Sequence, residues 1–133
     1  MKHWKPLFIK NSRIMKWLSF MTSINIIAIT LGPIVIYKDT ISEETKNHET
    51  IHFQQYLETA FIGFLVLYLY DYIVGYLKYK NSTKAYFYIR AEREAYFMHG
   101  NLVYRDKRVR WKWLRSDAFP CLFDRDTLKD GNI

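Results

Sequence analysis

The chain has 133 residues, half of them hydrophobic, a formal net charge of +7 and one cysteine, Cys121. That length suits a single domain, and the apolar content excludes an intrinsically disordered chain. A lone cysteine excludes a disulfide scaffold or cysteine-rich metal cluster, and the absence of G-x-x-x-x-G-K and G-x-G-x-x-G excludes a glycine-rich phosphate cradle.

Residues 1–23 form a basic N-terminal segment containing Lys2, Lys5, Lys10, Arg13 and Lys16, of which residues 1–16 read as irregular chain or a short strand. The apolar stretch from Trp17 resembles the start of a signal peptide. Ser19, Thr22, Ser23 and Asn25 dilute it, and no clean small-residue cleavage site follows. The Ile- and Val-rich run that comes next reads as two extended stretches, Ile24–Leu31 and Ile34–Tyr37, interrupted at Gly32-Pro33. Pro33 cannot donate to a ladder, so it marks an edge strand or a bulge.

A helix is expected from Thr40–Glu43 to about Thr59. Thr40 and Glu43 have capping-box spacing, Ser42 is a second cap candidate, and Glu43 and Glu44 suit the first turn. A strongly apolar helix follows over Gly63–Lys80. Its surroundings, residues 60–77, approach the length needed to cross a bilayer, with Asp71 inside. Asn81-Ser82-Thr83 then breaks the chain and caps a third helix over Lys84–Met98, which His99-Gly100-Asn101 ends. Residues 102–115 read as a short helix or an extended basic segment, and residues 116–133 as a tail of little periodicity.

Charge is concentrated late in the chain. Between Lys78 and Arg115 eleven Lys/Arg face three acids, Glu92, Glu94 and Asp106, a net of +8. Such a stretch is either a solvated basic face or an attractor of nucleic acid or an anionic surface. Trp111 and Trp113 interleave with it, as stacking groups or as core anchors.

The chemistry centres on His48-Glu49-Thr50-Ile51-His52, an H-E-x-x-H. On a helix, positions i and i+4 share a face, so both imidazoles can reach one Zn²⁺. Glu49, next to the first ligand, is placed to take a proton from the attacking water as general base. A third protein ligand is required, and Glu92 and Glu94 lie on the downstream helix. About 200° of rotation separates them, so only one can face the metal. Glu92 has the small neighbour Ala95, which allows close helix approach, and is assigned as the ligand. The alternative is ordinary surface charge, with Glu94 paired to Arg90.

A shared site constrains the path of the chain. An unbroken helix from His52 to Lys80 would climb about 42 Å, and residues 81–92 descend only about 17 Å. The helix must therefore break between Thr59 and Gly63. By the same reasoning a simple membrane span at 60–77 would put Glu92 on the far side of a bilayer from His52, so a shared site argues against a span. Asp71 then sits on a packed helix and needs a Tyr or Arg partner.

The H-E-x-x-H followed by a helix bearing Glu92-Arg93-Glu94-Ala95, an E-x-x-A, resembles the gluzincin branch of the zincin metallopeptidases. The wider pattern, NHETIHFQQ, an aromatic apolar helix, YIRAEREAY and a closing WKW, is similar to small single-domain gluzincin-like proteins of bacteria and phages. It covers roughly residues 26–115. Many gluzincins place an Asp where this chain has Tyr96. The resemblance implies a mostly helical α+β, zincin-like minimal domain with its core at 24–115. It implies Zn²⁺ held by His48, His52 and Glu92, with Glu49 catalytic and a peptide or protein substrate. Ile34–Tyr37 would be the edge strand that binds extended substrate. Tyr88, Tyr96 and His99 are candidates by position to stabilise the oxyanion.

Two other readings stand beside the peptidase. One is a catalytically inactive zincin-like module that assembles with a partner protein. The other is a basic protein that binds nucleic acid or a membrane surface through residues 78–115. A cytoplasmic or virion-associated location is expected over a secreted or integral-membrane one. Cys121 reads as a small buried apolar residue, and His3 as incidental.

Overall fold

The computed structural model describes residues 4–22 and 26–121, so His3, the outer part of the tail and the start of the expected first extended stretch lie outside the described residues. The fold is mostly helical α+β. In chain order it comprises β1 (Leu7–Lys10), α1 (Ser12–Thr22), β2 (Ala28–Leu31), β3 (Ile34–Tyr37), α2 (Glu43–Glu58), α3 (Ile62–Tyr79), α4 (Ser82–Phe87), α5 (Arg90–Met98) and α6 (Tyr104–Lys107), then a 3-10 turn over Lys112–Leu114.

The sheet has the order β1-β3-β2. β1 runs parallel to β3 with Leu7 opposite Ile34, and β2 runs antiparallel to it with Ala28 opposite Tyr37. Ile34–Tyr37 is therefore the central strand and not the expected edge, because the basic N-terminal segment supplies a strand that occupies its other side. Gly32-Pro33 forms the tight turn between β2 and β3, with Gly32 at φ 61°. Pro33 lies outside the strands and serves as an acceptor, taking a bond from the Leu7 N–H.

Ser42, and not Thr40, caps α2, its hydroxyl accepting from the Thr45 N–H at 3.1 Å. The helix is buried along residues 47–56, on its polar positions as well as its apolar ones, because β2, α3 and α5 all pack against it. The expected break then occurs. Ala60 and Phe61 adopt φ of 55° and 64°, the left-handed region that costs a side-chain-bearing residue about 1–2 kcal/mol. The chain turns so that α2 and α3 meet at 112°. Among the described residues no single helix is long and apolar enough to cross a membrane.

The expected third helix is two helices, α4 and α5, separated at Tyr88-Ile89. Asp71 on α3 explains the break. Its carboxylate accepts from the Arg90 backbone N–H at 3.1 Å and from two nitrogens of the Arg90 guanidinium at 2.9 and 3.0 Å. That carboxylate starts α5 with a cap from outside the helix and supplies the Arg partner that Asp71 requires. α3 and α4 approach closely at Gly75, where a Cβ would come within 3.2 Å of the Ala85 Cα. Tyr56, Phe64, Ile89, Ala91, Trp113 and Phe119 form the core, so Trp113 is an anchor and the start of the tail is packed. Cys121 is buried, as expected.

Candidate metal centre

One turn of α2 separates His48 from His52, and α5 packs across them to deliver Glu92. The two Nε2 atoms lie 3.1 Å apart. Glu92 Oε1 is 3.1 Å from His52 Nε2, and Glu92 Oε2 is 3.3 Å from His48 Nε2. All three residues are at most 6% exposed. They form a group that could hold a metal ion, and it is the trio expected from the sequence.

The surroundings fit that role. His52 Nδ1 lies 2.8 Å from the Gln55 carboxamide oxygen, so Nδ1 carries a proton and Nε2 is the nitrogen turned to the triad, available to a metal once its own proton is lost. The Gln55 nitrogen donates to the Ala91 carbonyl at 3.1 Å and to Glu94 at 2.9 Å, which fixes the amide's orientation. Tyr68, reaching across from α3, donates to Glu92 Oε1 at 2.9 Å. Glu92 Oε2 is buried and makes no well-formed hydrogen bond, its one polar neighbour in the triad being His48 Nε2 at 3.3 Å, so it is an acceptor that a cation would satisfy.

Without a cation the charges settle on each other. Burial would lower the His52 imidazole, but the Glu92 carboxylate more than offsets it and raises His52 to about 9. Burial pushes Glu92 up, yet His52 and His48 hold it well below the usual carboxylate range.

Glu49 is buried on the side of α2 that meets the sheet, where the Thr30 hydroxyl of β2 donates to its Oε2. The Thr30 carbonyl accepts from Tyr56 at 3.1 Å, which ties that strand to the helix. The Tyr96 ring stands 4.5 Å from the His48 ring, and its hydroxyl meets Tyr86 at 3.0 Å. Burial raises the Tyr96 phenol to about 12. The His99 ring is 5.9 Å from His48. Tyr88 is positioned differently, stacking on Tyr79 at 4.6 Å.

Glu94 departs from its surface reading. It is fully buried, and Arg108 bridges it to Glu58 through a forked contact on both sides. Burial raises the Glu94 carboxyl even with Arg108 beside it. Arg90 belongs to Asp71, and Tyr104 adds a bond to Glu94 at 3.2 Å. Part of the basic run is thus internal structure. Sequence reasoning missed Thr30, Gln55, Tyr68 and Arg108 as supports of the site. Gln55 had a signal, its i+3 spacing from His52 on a helix; the other three meet the site only through tertiary packing. No family model, curated protein or solved structure matches the chain, which leaves the chemistry of this buried trio as the ground for a functional reading.

Proposed function

We propose that the chain is a zinc-dependent metallopeptidase of zincin type. One observation carries the reading: two imidazole nitrogens and a carboxylate converge within 3.1–3.3 Å, while the glutamate next to the first histidine is not one of the three and has its carboxylate held by Thr30. Ligands bound at about 2.0–2.1 Å to a tetrahedral zinc ion stand roughly 3.3 Å from one another, and two histidines with one carboxylate is a catalytic zinc set that keeps a position open. A bound zinc ion supplies Lewis acidity, activating water and polarising a carbonyl.

The chain's residues do the rest. His48, His52 and Glu92 would hold the ion, and Gln55 and Tyr68 fix two of them in place. Glu49 accepts the proton of the attacking water and passes it to the leaving amine, with Thr30 orienting its carboxylate. Tyr96 and His99, whose rings lie 4.5 and 5.9 Å from that of His48, are the residues that would serve as oxyanion donors. An extended peptide would add to β2, the strand that packs on α2 and whose outer side is unpaired among the described residues.

The burial of all three ligands favours one other reading, a metal-holding structural module without turnover. The test is metal content by elemental analysis beside peptide hydrolysis. Wild type should carry about one zinc per chain, lost in His52→Ala and Glu92→Ala. Glu49→Gln should keep the zinc and lose hydrolysis. No zinc after zinc-replete purification would sink both readings; zinc without hydrolysis of any peptide would leave the structural module.

A further inference from the structure

The apolar surface of α3 is turned the wrong way for a helix that only supports a core. Residues advance about 100° each around a helix. Phe64, Tyr68, Asp71 and Gly75 lie toward the protein, and the opposite half, about 180° wide, carries Ile62, Leu65, Val66, Leu69, Ile73 and Leu77, all exposed. Ile62 is 74% exposed and Leu77 61%. Tyr70 and Tyr76 fall within the same half, and no charged residue does. The one acid of the helix, Asp71, is turned inward onto Arg90. Exposed Lys78 and Lys80 stand at the C-terminal end.

The pattern recurs on α1. Ile14, Trp17, Phe20 and Met21 are exposed, Phe20 at 82%, beside exposed Arg13 and Lys16, and this helix contains no acid. Two helices therefore present apolar, aromatic-bearing outer faces, and the exposed charged residues on these helices or at their ends are cations. Single exposed apolar residues are ordinary, but contiguous helix-long faces mark an interaction surface. A second copy of a chain carrying +7 would bring these lysines and arginines against like charge. An anionic lipid surface complements both features, the apolar half and the flanking cations.

We propose that the outer half of α3, with α1 as a second contact, beds this protein on the surface of a membrane rich in anionic lipid. α3 lies in the interface and does not cross it. Its side chains enter the acyl boundary, the tyrosines sit at headgroup level, and the lysines pair with lipid phosphates. The proposal is independent of the metal centre.

The test is flotation of the full-length protein with vesicles of phosphatidylcholine alone or mixed with phosphatidylglycerol, at low and high salt. Wild type should float with the mixed vesicles, less so at high salt. A Leu69→Gln/Ile73→Gln double variant, with thermal unfolding unchanged, should partition on the order of a hundredfold more weakly. A Trp17→Ala/Phe20→Ala variant should show a smaller loss. Failure of wild type to float with either vesicle at low salt overturns the proposal. So does a double variant that floats like wild type, which would leave charge alone. So does a wild-type dimer in sedimentation velocity that the double variant converts to monomer while vesicle binding stays the same.

Discussion

The Gln55 carboxamide lies between the triad and a buried ion network, with its oxygen 2.8 Å from His52 Nδ1 and its nitrogen 2.9 Å from Glu94. Replacing it with Leu removes the acceptor that fixes the His52 tautomer. Metal affinity should fall about 10–100-fold, the usual cost of losing an outer partner of a metal-bound histidine. Competition with a chromogenic chelator measures this directly, and unchanged affinity would show that His52 needs no such orientation.

Arg108 is the shared ion-pair partner of two buried carboxylates, Glu58 and Glu94, whose side chains are fully enclosed. Arg108→Ala removes the cation that both carboxylates share and should cost about 3–5 kcal/mol in denaturant unfolding. Arg108→Lys should recover little, because an ammonium cannot fork between two partners. A loss below about 1 kcal/mol for the alanine variant would mean the network is not closed in solution.

Asp71 should behave as the start signal of α5. In Asp71→Ala the Arg90 N–H and guanidinium lose their acceptor, and about 2–3 kcal/mol of stability goes with them. Glu92 stands only two residues into that helix, so metal binding should weaken as well. Calorimetry paired with a metal titration would reveal whether the two losses travel together.

The metal-free protein should also show a definite pH profile. His52 is raised from 6.5 to about 9, so its contribution is fully present below 6.5 and is lost as pH rises through about 9. Glu92 is lowered, so its contribution is present above 4.5 and lost as pH falls through its folded value. Thermal stability in the presence of chelator should therefore drop by several degrees between pH 6.5 and 9. Metal must displace the same His52 proton, so zinc affinity should climb about tenfold per pH unit over that range. A flat melting temperature from pH 6 to 9 would show that the pair is not charged.

What the sequence could show was local. The spacing of His48 and His52 on one helix face, the cap region before Glu43, and the need for a break before Gly63 all follow from residues close in the chain. Glu92 was reachable because helix periodicity separates it from Glu94. The rest depended on partners distant in sequence. β3 became the central strand because Leu7–Lys10, Leu-Phe-Ile-Lys within the segment read as irregular chain or a short strand, pairs with it. The long helix expected over 84–98 is interrupted because Asp71, nineteen positions away from Arg90, competes for its first N–H. Glu94 could not be distinguished from a surface charge without knowing that Arg108 folds back over it.

Forty residues separate His52 from Glu92, and the path between them contains the whole of α3 and α4. A metal ion held by the triad would act as a cross-link on that loop. Closing a loop of this size removes unfolded-chain entropy worth about 4 kcal/mol, the effect expected of a disulfide. A chelator would then do to this cysteine-poor chain what a reductant does to a disulfide-stapled one. The element released first would be the corner at Ala60-Phe61, where the backbone already holds two residues in the left-handed region.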